Sequence, residues 1–371
     1  MMPVLYPADE TSFGTNGLGA LADAYSCTVN EVLNGAYTLT MTYPADGLHA
    51  KDIASKMILK VRSRDDSSAS FYDLFRISKV QESLDGKKLT INANHISYDL
   101  AGYPIEPFTA VGIANILAAF ADTESDGHCL VPNDFTFHTN LTNTTSTFNS
   151  KIPKSVRACI GGMEGSLLQT FRCELLFDNK DVYLLTRRGT DNGVIIAYGK
   201  NLESYVSVKS AESSYNGVLA YWLKDNVTVY SDVQYAQDAD FPVDRIYIYD
   251  VSTKYEEQPT VSNLNNDALS YITQNNIGQS YLESVSVSFI PLWQTEEYKN
   301  IAQLERVALG DTVTVIYGAR NFKTRVVECT YDVLRERYTN VVLGEKKASF
   351  GDTIKQISVE ATNELLTVRG I

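Results

Sequence analysis

The sequence lacks the features of a disulfide-stapled, zinc-ribbon or membrane-spanning protein. Its five cysteines are odd in number, scattered and never arranged as C-x-x-C, which argues against a disulfide scaffold and indicates synthesis in a reducing compartment. No stretch approaches ~18 consecutive apolar residues, so we expect no membrane-spanning segment. The first residues, "MMPVLYP", have neither a basic cluster nor a long apolar run, so we expect no signal peptide.

Positive charge is also scarce. The chain has 32 basic and 45 acidic residues, a formal net charge of −13, and no run of Lys or Arg is longer than two. A field of that sign repels phosphate backbones and anionic membranes. Nucleic-acid binding is therefore disfavoured as the main task.

Catalytic motifs are absent as well. The sequence has no H-E-x-x-H, no G-x-S-x-G and no phosphate-binding P-loop. The stretch "GLGALA" from Gly17 has the spacing of a dinucleotide-binding fingerprint, but that fingerprint needs a strand before it and a helix after it. Here "NEVLNGAYTLTM" follows, which is typical of a β-hairpin, so we predict a loop.

One short segment holds the best candidates for reactive side chains. "DGHCLVPNDFTFH" contains His128, Cys129, Asp134 and His138, from which a Cys/His nucleophile pair or a metal site could be built. Adjacent side chains on a strand point apart, so nearness in sequence does not bring His128 and Cys129 together. We interpret the segment as loop and strand, and we assign no catalytic, cofactor-binding or metal-binding residue.

Pairs of adjacent carboxylates are a second set of candidates. They are Asp65-Asp66, Glu256-Glu257 and Glu296-Glu297. General acid–base catalysis needs a carboxyl that is partly desolvated in a cleft, and these pairs all lie in polar turns. We predict that they are solvated.

Tyrosine is what the sequence has in excess. Its 23 tyrosines, together with Val, Ile and Thr, favour strands and interfaces, because the ring buries area while the hydroxyl stays near water. Residues 1–97 alternate between apolar and polar and have turn signals at Asn34-Gly35 and Asp85-Gly86. This pattern predicts a first β domain over these residues, either a meander or a small antiparallel β-barrel.

The pattern changes over residues 98–200, which we predict to be an α+β domain. We expect a helix that starts near Thr109 and an exposed loop over 138–150. We also expect a helical segment interrupted at Gly161-Gly162 and a hairpin that turns at 178–181.

Strand patterns return over residues 201–347, which predict a second β-barrel domain with an inserted helix at about 262–276. The apolar side of that helix is expected to consist of Leu264, Leu269 and Ile272. Residues 348–371 have apolar side chains at helical spacing and are predicted to form a C-terminal helix or linker. A short coiled-coil seam and a helix lying on the body are both compatible with this spacing.

The segment from Ala308 to Gly344 has a charged middle, which is either a reactive cluster or part of a barrel wall. Its piece Arg325–Val342 echoes Arg76–Ile91, which turns at Asp85-Gly86. The echo predicts a second hairpin that turns around Leu334 to Glu336. Two such hairpins indicate two related barrels.

Three consequences follow for that segment. An earlier turn is expected at Gly318 to Asn321, and Cys329 is expected to be a small wall residue. On the hairpin strands, Arg335 and Arg337 would share a face. They could then meet acidic cross-strand partners or contact another subunit.

Several motifs, in this order, resemble a known family. They are "LNGAYTLTMTYP" (33–44), "LLTRRGTDNGVIIAYGKNLES" (184–204) and, within 309–344, "LGDTVTVIYG" and "TRVVECTYDVLRERYTNVVLG". Together they resemble the phage minor structural protein family, also called prophage tail endopeptidase or the N-terminal hub of tail-associated lysins. Members of that family resemble the baseplate hub proteins of contractile tails and of type VI secretion spikes.

The resemblance implies a β-rich α+β chain with two small β-barrel tube domains, a peripheral α+β segment and a C-terminal helix. It implies a homotrimer whose six barrels form a ring against a tail tube or distal tail protein. A tape measure protein and a downstream lysin, fibre or receptor-binding module are implied as further partners. The implied location is the tail tip of the virion, after synthesis in the host cytoplasm, with DNA only in transit and no cofactor.

Two other functions are weighed against this one. The first is a tail-associated peptidoglycan hydrolase or endopeptidase with its site in the middle segment, although hydrolysis in this family usually belongs to modules after the hub. The second is a carbohydrate- or receptor-binding module, which would show an exposed groove lined by Tyr, or by Trp222 and Trp293. For the hub we hypothesise that acidic residues line the lumen and that rings assemble through sheet edges and Tyr-rich contacts.

Overall fold

A computed structural model describes residues 2–65, 68, 71–121, 127–162, 165–211, 214–237, 241–252, 254–275, 277–279, 282–289 and 306–344. The predicted C-terminal helix at 348–371 lies outside these residues. The described part is rich in strands and has few helices, as the sequence predicts. None of the helices it contains is both long enough and apolar enough to cross a bilayer.

The strands are numbered in chain order. The first twelve are β1 Val4–Tyr6, β2 Gly19–Ala20, β3 Ser26–Val32, β4 Tyr37–Pro44, β5 Ile58–Val61, β6 Asp73–Glu82, β7 Lys88–His95, β8 Pro104–Ile105, β9 Phe108–Val111, β10 Thr136–Thr139, β11 Thr147–Ser150 and β12 Lys154–Ser155. The others are β13 Glu174–Asp178, β14 Asp181–Leu185, β15 Ile195–Ala197, β16 Leu202–Ser210, β17 Gly217–Lys224, β18 Val227–Tyr230, β19 Gln234–Tyr235, β20 Ile246–Asp250, β21 Leu282–Phe289, β22 Thr312–Tyr317, β23 Arg320–Asp332 and β24 Arg337–Gly344.

The α-helices of the described residues are α1 Ile113–Ala118, α2 Val156–Ile160, α3 Leu167–Phe171 and α4 Val261–Gln274. Two 3-10 helices, Ala50–Asp52 and Ile96–Gly102, follow β4 and β7. Only α4 exceeds two turns, so most of the core is built from sheet.

A 13-stranded sheet forms the centre of the fold. Its strand order is β16-β21-β24-β23-β3-β4-β7-β6-β5-β1-β2, with β22 beside β23 and β15 beside β22. Antiparallel pairing of β23 with β3 joins strands from both ends of the sequence. Residues 1–97 and residues 201–347 therefore contribute to one continuous sheet.

The predicted turns occur where the chain needs a left-handed backbone. Asn34 (φ 57°) and Gly86 (φ 66°) lie between β3 and β4 and between β6 and β7. Gly318 (φ 59°) and Glu336 (φ 52°) lie in the turns that flank β23. Gly and Asn tolerate this conformation best, which is why the Asn-Gly and Asp-Gly signals located the first two turns correctly. The two hairpins are confirmed.

Two predictions for the peripheral segment were wrong at their edges. Thr109 lies in β9, not in a helix, because β9 pairs with the distant β11 and Gly112 (φ 81°) separates it from α1. The same pairing makes residues 147–150 a strand, so the predicted loop over 138–150 is shorter than expected. The helical break at Gly161-Gly162 and the hairpin turn between β13 and β14 are confirmed.

The chain divides into two compact units. The large unit comprises residues up to Tyr205 and the described residues from Ser286 onward, and the small unit comprises Val206–Val285. In the small unit, β17 is flanked by β18, β19 and β20, and α4 packs on this sheet.

Helix α4 confirms the inserted helix and corrects its predicted apolar side. Leu264 and Ile272 are buried, but Leu269 is 45% exposed, and Ala268 takes the buried position. At 100° per residue, Leu269 lies 140° around the helix from Leu264, whereas Ala268 lies only 40° away. Thr260 caps the helix, because its Oγ1 accepts a hydrogen bond from the Asn263 amide at 3.2 Å.

Candidate functional site

The segment with the predicted reactive residues does not form a reactive site. Cys129 is fully buried in a bridge to Ile105, whereas the neighbouring His128 is half-exposed. The His128 ring stacks on Phe108 at 5.2 Å, and its Nδ1 lies 2.8 Å from Glu106 Oε1. The two side chains therefore have separate surroundings, as expected for neighbours on an extended chain.

The other two residues of that segment also have partners of their own. His138 Nε2 lies 2.7 Å from Asp181 Oδ1, and its ring stacks on Tyr183 at 4.6 Å. Asp134 accepts a hydrogen bond from Lys180 Nζ. Within the described part of the chain, no three His, Cys, Asp or Glu side chains converge as a metal ion would require.

Two of the three paired carboxylates that the structure describes are solvated, as the sequence predicts, and the glycine-rich stretch is not followed by a helix. Glu256 and Glu257 are exposed. The prediction of a solvated carboxylate is wrong for Asp65, because its side chain is only 10% exposed and its Oδ2 lies 3.4 Å from Arg306 Nε. Asp66, Glu296 and Glu297 lie outside the described residues. "GLGALA" contains the short strand β2, and strand β3, not a helix, is the next element.

Sequence reasoning missed a buried polar cluster, which we call the Asp73 cluster. Its members are Tyr37, Ser63, Asp73, His95 and Ser97, all buried. Tyr37 Oη and Ser63 Oγ both donate hydrogen bonds to Asp73 Oδ2, the former at 2.5 Å. His95 Nε2 lies 3.6 Å from Asp73 Oδ1, and its Nδ1 lies 3.0 Å from Ser97 Oγ.

The Asp73 cluster contains the residue types of a Ser-His-Asp triad but cannot act as one. A nucleophilic serine must meet its substrate, and Ser97 has no exposed surface. Burial alone would raise the pKa of Asp73, but the His95 ring, the Arg64 guanidinium and the Ser63 hydroxyl outweigh it and lower that pKa to about 2. The cluster therefore holds a buried carboxylate and ties β4, β6 and β7 together.

A second network, the charged joint, connects three distant parts of the large unit. It consists of Glu31 on β3, Glu174 on β13, Arg188 after β14 and Arg325 on β23. Arg188 Nη1 donates to Glu31 Oε1 at 2.7 Å. Arg325 Nη1 and Nη2 donate hydrogen bonds to Glu174 Oε1 and Oε2, at 2.7 and 2.9 Å. Since bidentate Arg–carboxylate pairs fix orientation as well as charge, the joint sets the geometry between the segments it connects.

Backbone contacts reinforce the charged joint. The Arg188 amide donates to Glu174 Oε2 at 2.7 Å, and Arg325 Nη2 donates to Arg188 O at 2.9 Å. Gly189 (φ 77°) and Gly310 (φ 92°) lie back to back, so that a Cβ on Gly189 would meet Gly310 C at 2.2 Å. Only glycine fits at both positions.

The hairpin from β23 to β24 shows what its charged middle does. Asp332 Oδ1 accepts hydrogen bonds from the amides of Leu334 and Arg335, at 3.0 and 3.1 Å. Arg335 lies in the turn, not on a strand, and its Nη1 donates to Asp332 Oδ2 at 2.8 Å. Arg337 is the cross-strand partner of Asp332. The prediction that both arginines lie on strands is therefore wrong for Arg335, whereas Arg337 begins β24 and has an acidic residue as its cross-strand partner.

Cys329 is a buried residue of the 13-stranded sheet. It is buried on β23, and desolvation raises the pKa of its thiol well above the ordinary value. A thiol held neutral is a poor nucleophile, so the segment is part of the sheet and not a reactive cluster.

Two exposed tyrosines, Tyr198 and Tyr317, and the partly buried Tyr205 gather at the tip of the β22–β23 hairpin. Tyr205 and Tyr317 stack at 4.9 Å with nearly parallel rings, and Tyr198 meets Tyr317 edge-on at 6.0 Å. Arg320 Nη1 donates to Tyr205 Oη at 2.9 Å. Trp222, by contrast, is buried in the core of the small unit, and Trp293 lies outside the described residues.

The fold of the described residues is similar to that of solved phage tail proteins. The solved structure of prophage tail protein gp18 from Listeria monocytogenes EGD-e matches it with a TM-score of 0.58 and 12% identity, over 96% of this chain and 98% of that one. The prophage MuSo2 43 kDa tail protein from Shewanella oneidensis also matches with a TM-score of 0.58, at 11% identity, over 93% of this chain and 99% of that one.

A tail protein from Neisseria meningitidis MC58 has a TM-score of 0.57 at 10% identity, over 95% of this chain and 98% of that chain. No protein-family model and no curated protein matches the chain. The resemblance to phage tail proteins that the sequence motifs indicate is therefore confirmed for the fold.

Proposed function

We propose that this protein is a structural component of a phage or prophage tail tip. The observation that carries the proposal is the fold match to three tail proteins across nearly the whole length of each chain. The networks inside the large unit support it, because they use charged and reactive side chains to fix geometry and not to present them to a substrate. The location proposed is the virion, after synthesis in the host cytoplasm.

We propose further that the chain is a trimeric hub that joins the tail tube or distal tail protein to the host-contacting tip. The division into 1–97, 98–200, 201–347 and 348–371, with tube barrels in the first and third parts, remains a prediction. In the described residues the strand order has free ends at β16, β15 and β2, which fits a sheet that pairs with other chains. The further partners that we propose are the tape measure protein and a downstream lysin, fibre or receptor-binding module.

A DNA exit channel belongs to the same proposal. The net charge of −13 fits a lumen that repels DNA and lets it slide. A lumen lined by Lys and Arg in the assembled ring would contradict this part of the proposal.

Electron microscopy of the purified protein, combined with mass measurement in solution, tests the hub. A ring with three-fold symmetry and six-fold pseudosymmetry on one face is expected. A monomer at all concentrations would overturn the trimeric hub, and absence of the chain from purified tails would overturn the tail function itself.

The alternative of a peptidoglycan hydrolase rests on His128, Cys129 and His138, whose partners keep them apart. Zymography on cell walls decides this point. Clearing by the wild-type chain that disappears in His128→Ala, Cys129→Ala or His138→Ala would establish the enzyme, and no clearing is expected.

A further inference from the structure

The sheet of the small unit has one covered face and one open face. Val218, Ala220 and Trp222 on β17 are buried together with Leu264 and Ala268 of α4. Side chains alternate along a strand, so the intervening residues of β17 belong to the opposite face.

The open face carries large apolar side chains. Register places Tyr230 opposite Tyr221, Tyr235 opposite Gly217, and Ile248 beside Leu219. Ile248 is 65% exposed and Tyr230 63%. Contiguous exposed apolar surface of this kind marks an interaction site, whereas isolated exposed residues do not.

Two tyrosine rings of the open face, those of Tyr221 and Tyr235, are held in place by hydrogen bonds. Tyr235 lies against Gly217, where an added Cβ would meet the Tyr235 ring at 3.3 Å, and its hydroxyl donates to Asp244 Oδ2 at 3.2 Å. The Tyr221 hydroxyl donates to Asp250 Oδ2 at 2.8 Å. Side chains ordered in advance lose little entropy when a partner binds.

The charge of the open face is negative. Asp244 and Asp250 lie at its two ends, while the nearby cations Lys224 and Arg245 donate to the backbone carbonyls of Glu256 and Ala211. The small unit as a whole has four basic and eleven acidic residues, a net charge of −7. The same face of a second copy, or an anionic polymer, would be repelled.

We propose that the open face docks another tail protein, whose contacting surface has an apolar side chain between two Arg or Lys residues. This inference rests on the proposed tail function. The open face has two Tyr–Asp corners, one formed by Tyr235 and Asp244 and the other by Tyr221 and Asp250. A guanidinium both stacks on a tyrosine ring and pairs with a carboxylate, so each corner suits one basic side chain. Leu219 and Ile248, between the corners, receive the apolar side chain.

The spacing of the two corners specifies the partner further. The first corner lies beside Gly217, the cross-strand partner of Tyr235, and the second corner contains Tyr221. Gly217 and Tyr221 are four residues apart on β17, which corresponds to about 13 Å. Positions i, i+2 and i+4 of a strand have this spacing and share one face. A strand with the pattern basic-x-apolar-x-basic is therefore the expected contacting element.

Photocrosslinking in assembled tails tests the docking. The full chain is produced as Tyr230→p-benzoylphenylalanine or Ile248→p-benzoylphenylalanine, assembled into tails and irradiated. The matched control is Leu269→p-benzoylphenylalanine, because Leu269 is 45% exposed on α4, away from the open face. We expect both open-face positions to label one other tail protein, on a segment with the predicted pattern, and the control to leave it unlabelled.

A charge variant separates specific docking from mere proximity. Asp244→Asn and Asp250→Asn, introduced together, should lower the crosslink yield by about tenfold, because two charge-assisted contacts are lost. An unfolding curve of the variant must match that of the wild-type chain, and Asp225→Asn, in the exposed turn after β17, is the control for charge alone.

The outcomes distinguish the docking from the tail function. Tails that contain the chain but show labelling of a second copy, of a glycan or of nothing would overturn the docking and leave the tail function standing. Purified tails without the chain would overturn both.

Discussion

Asp73 shows how a charge can be stabilised where water is absent. Three hydroxyl or ring neighbours and the Arg64 guanidinium surround its carboxylate. A buried charge survives only with such partners, since desolvation costs several kcal/mol. The same packing removes Ser97 and His95 from any substrate.

The acid stability of the protein should depend on Asp73. Its pKa is about 2 in the folded chain against 3.8 for an unperturbed carboxyl, so ionisation contributes roughly 2 kcal/mol above pH 4. Because the folded pKa is lowered, this stability is lost as the pH falls from about 4 toward 2. Urea unfolding at a series of pH values should show the loss in the wild-type chain and not in Asp73→Asn.

Asp73→Asn should also be less stable near neutral pH, by about 3 kcal/mol, because the buried Arg64 guanidinium loses its counterion. The control is Asp191→Asn, an exposed partner of Lys323, which should change the free energy of unfolding little. An equal acid dependence in wild type and Asp73→Asn would contradict the role of Asp73.

Arg325 illustrates how a bidentate hydrogen-bonded pair differs from an interaction of charges alone. Arg325→Lys retains the charge but cannot make both hydrogen bonds to Glu174 or reach the Arg188 and Gly310 carbonyls. We expect a loss of about 1–3 kcal/mol in the free energy of unfolding, measured in urea. Lys323→Ala, which removes an exposed ion pair on the same strand, should cost less than about 1 kcal/mol. Equal losses in the two variants would show that the joint does not depend on geometry.

At the scale of elements, close approach of two loops is what positions the charged joint. Gly189 and Gly310 allow the segment after β14 to touch the segment before β22. Asp311 belongs to the same contact, since its Oδ1 accepts from the Thr190 amide at 2.7 Å and its Oδ2 from the Ala308 amide at 2.8 Å. Desolvation raises the pKa of Asp311, which these backbone donors partly offset.

Gly189→Ala should separate these two loops. The new Cβ would lie 2.2 Å from Gly310 C, so the backbone must move, and we expect a loss of about 3 kcal/mol or more. The matched control is Gly193→Ala, which has a similar φ of 72° but nothing within 4 Å, and should cost only about 1–2 kcal/mol. Urea midpoints compare the two, and similar losses would show that the close approach is unimportant.

Two errors in helix prediction have one cause at this scale. Thr109 has a good helical context, but β9 finds a partner in β11, thirty-six residues downstream, and pairing outweighs propensity. Leu269 is apolar, but the sheet of the small unit contacts α4 along Leu264, Ala268 and Ile272. Local pattern cannot report which distant element will pack against a segment.

At the scale of the whole molecule, the two units have separate cores. Leu264→Ala should create a cavity in the small unit and cost about 2–5 kcal/mol there. Hydrogen–deuterium exchange should therefore become faster in β17 and α4 and remain unchanged in β4 and β7. Leu269→Ala, at an exposed position of the same helix, should leave both unchanged. Faster exchange in β4 and β7 would show that the cores are not independent.

The sequence by itself determined the turns and most strands, because these depend on local chemistry. Asn34-Gly35 and Asp85-Gly86 supply left-handed backbone, and the apolar alternation around them fixes which side chains are buried. The echo between Arg76–Ile91 and Arg325–Val342 likewise predicts the β23–β24 hairpin from sequence alone.

Only the tertiary structure decided which residues meet across long distances in the chain. Glu31, Glu174, Arg188 and Arg325 are far apart in sequence, and no spacing rule connects them. The Asp73 cluster and the open face of the small unit likewise depend on which strands pair with one another. Local preferences act over a few residues, whereas burial and charge pairing depend on residues that are distant in the sequence. These contacts therefore cannot be predicted from local pattern and require the fold.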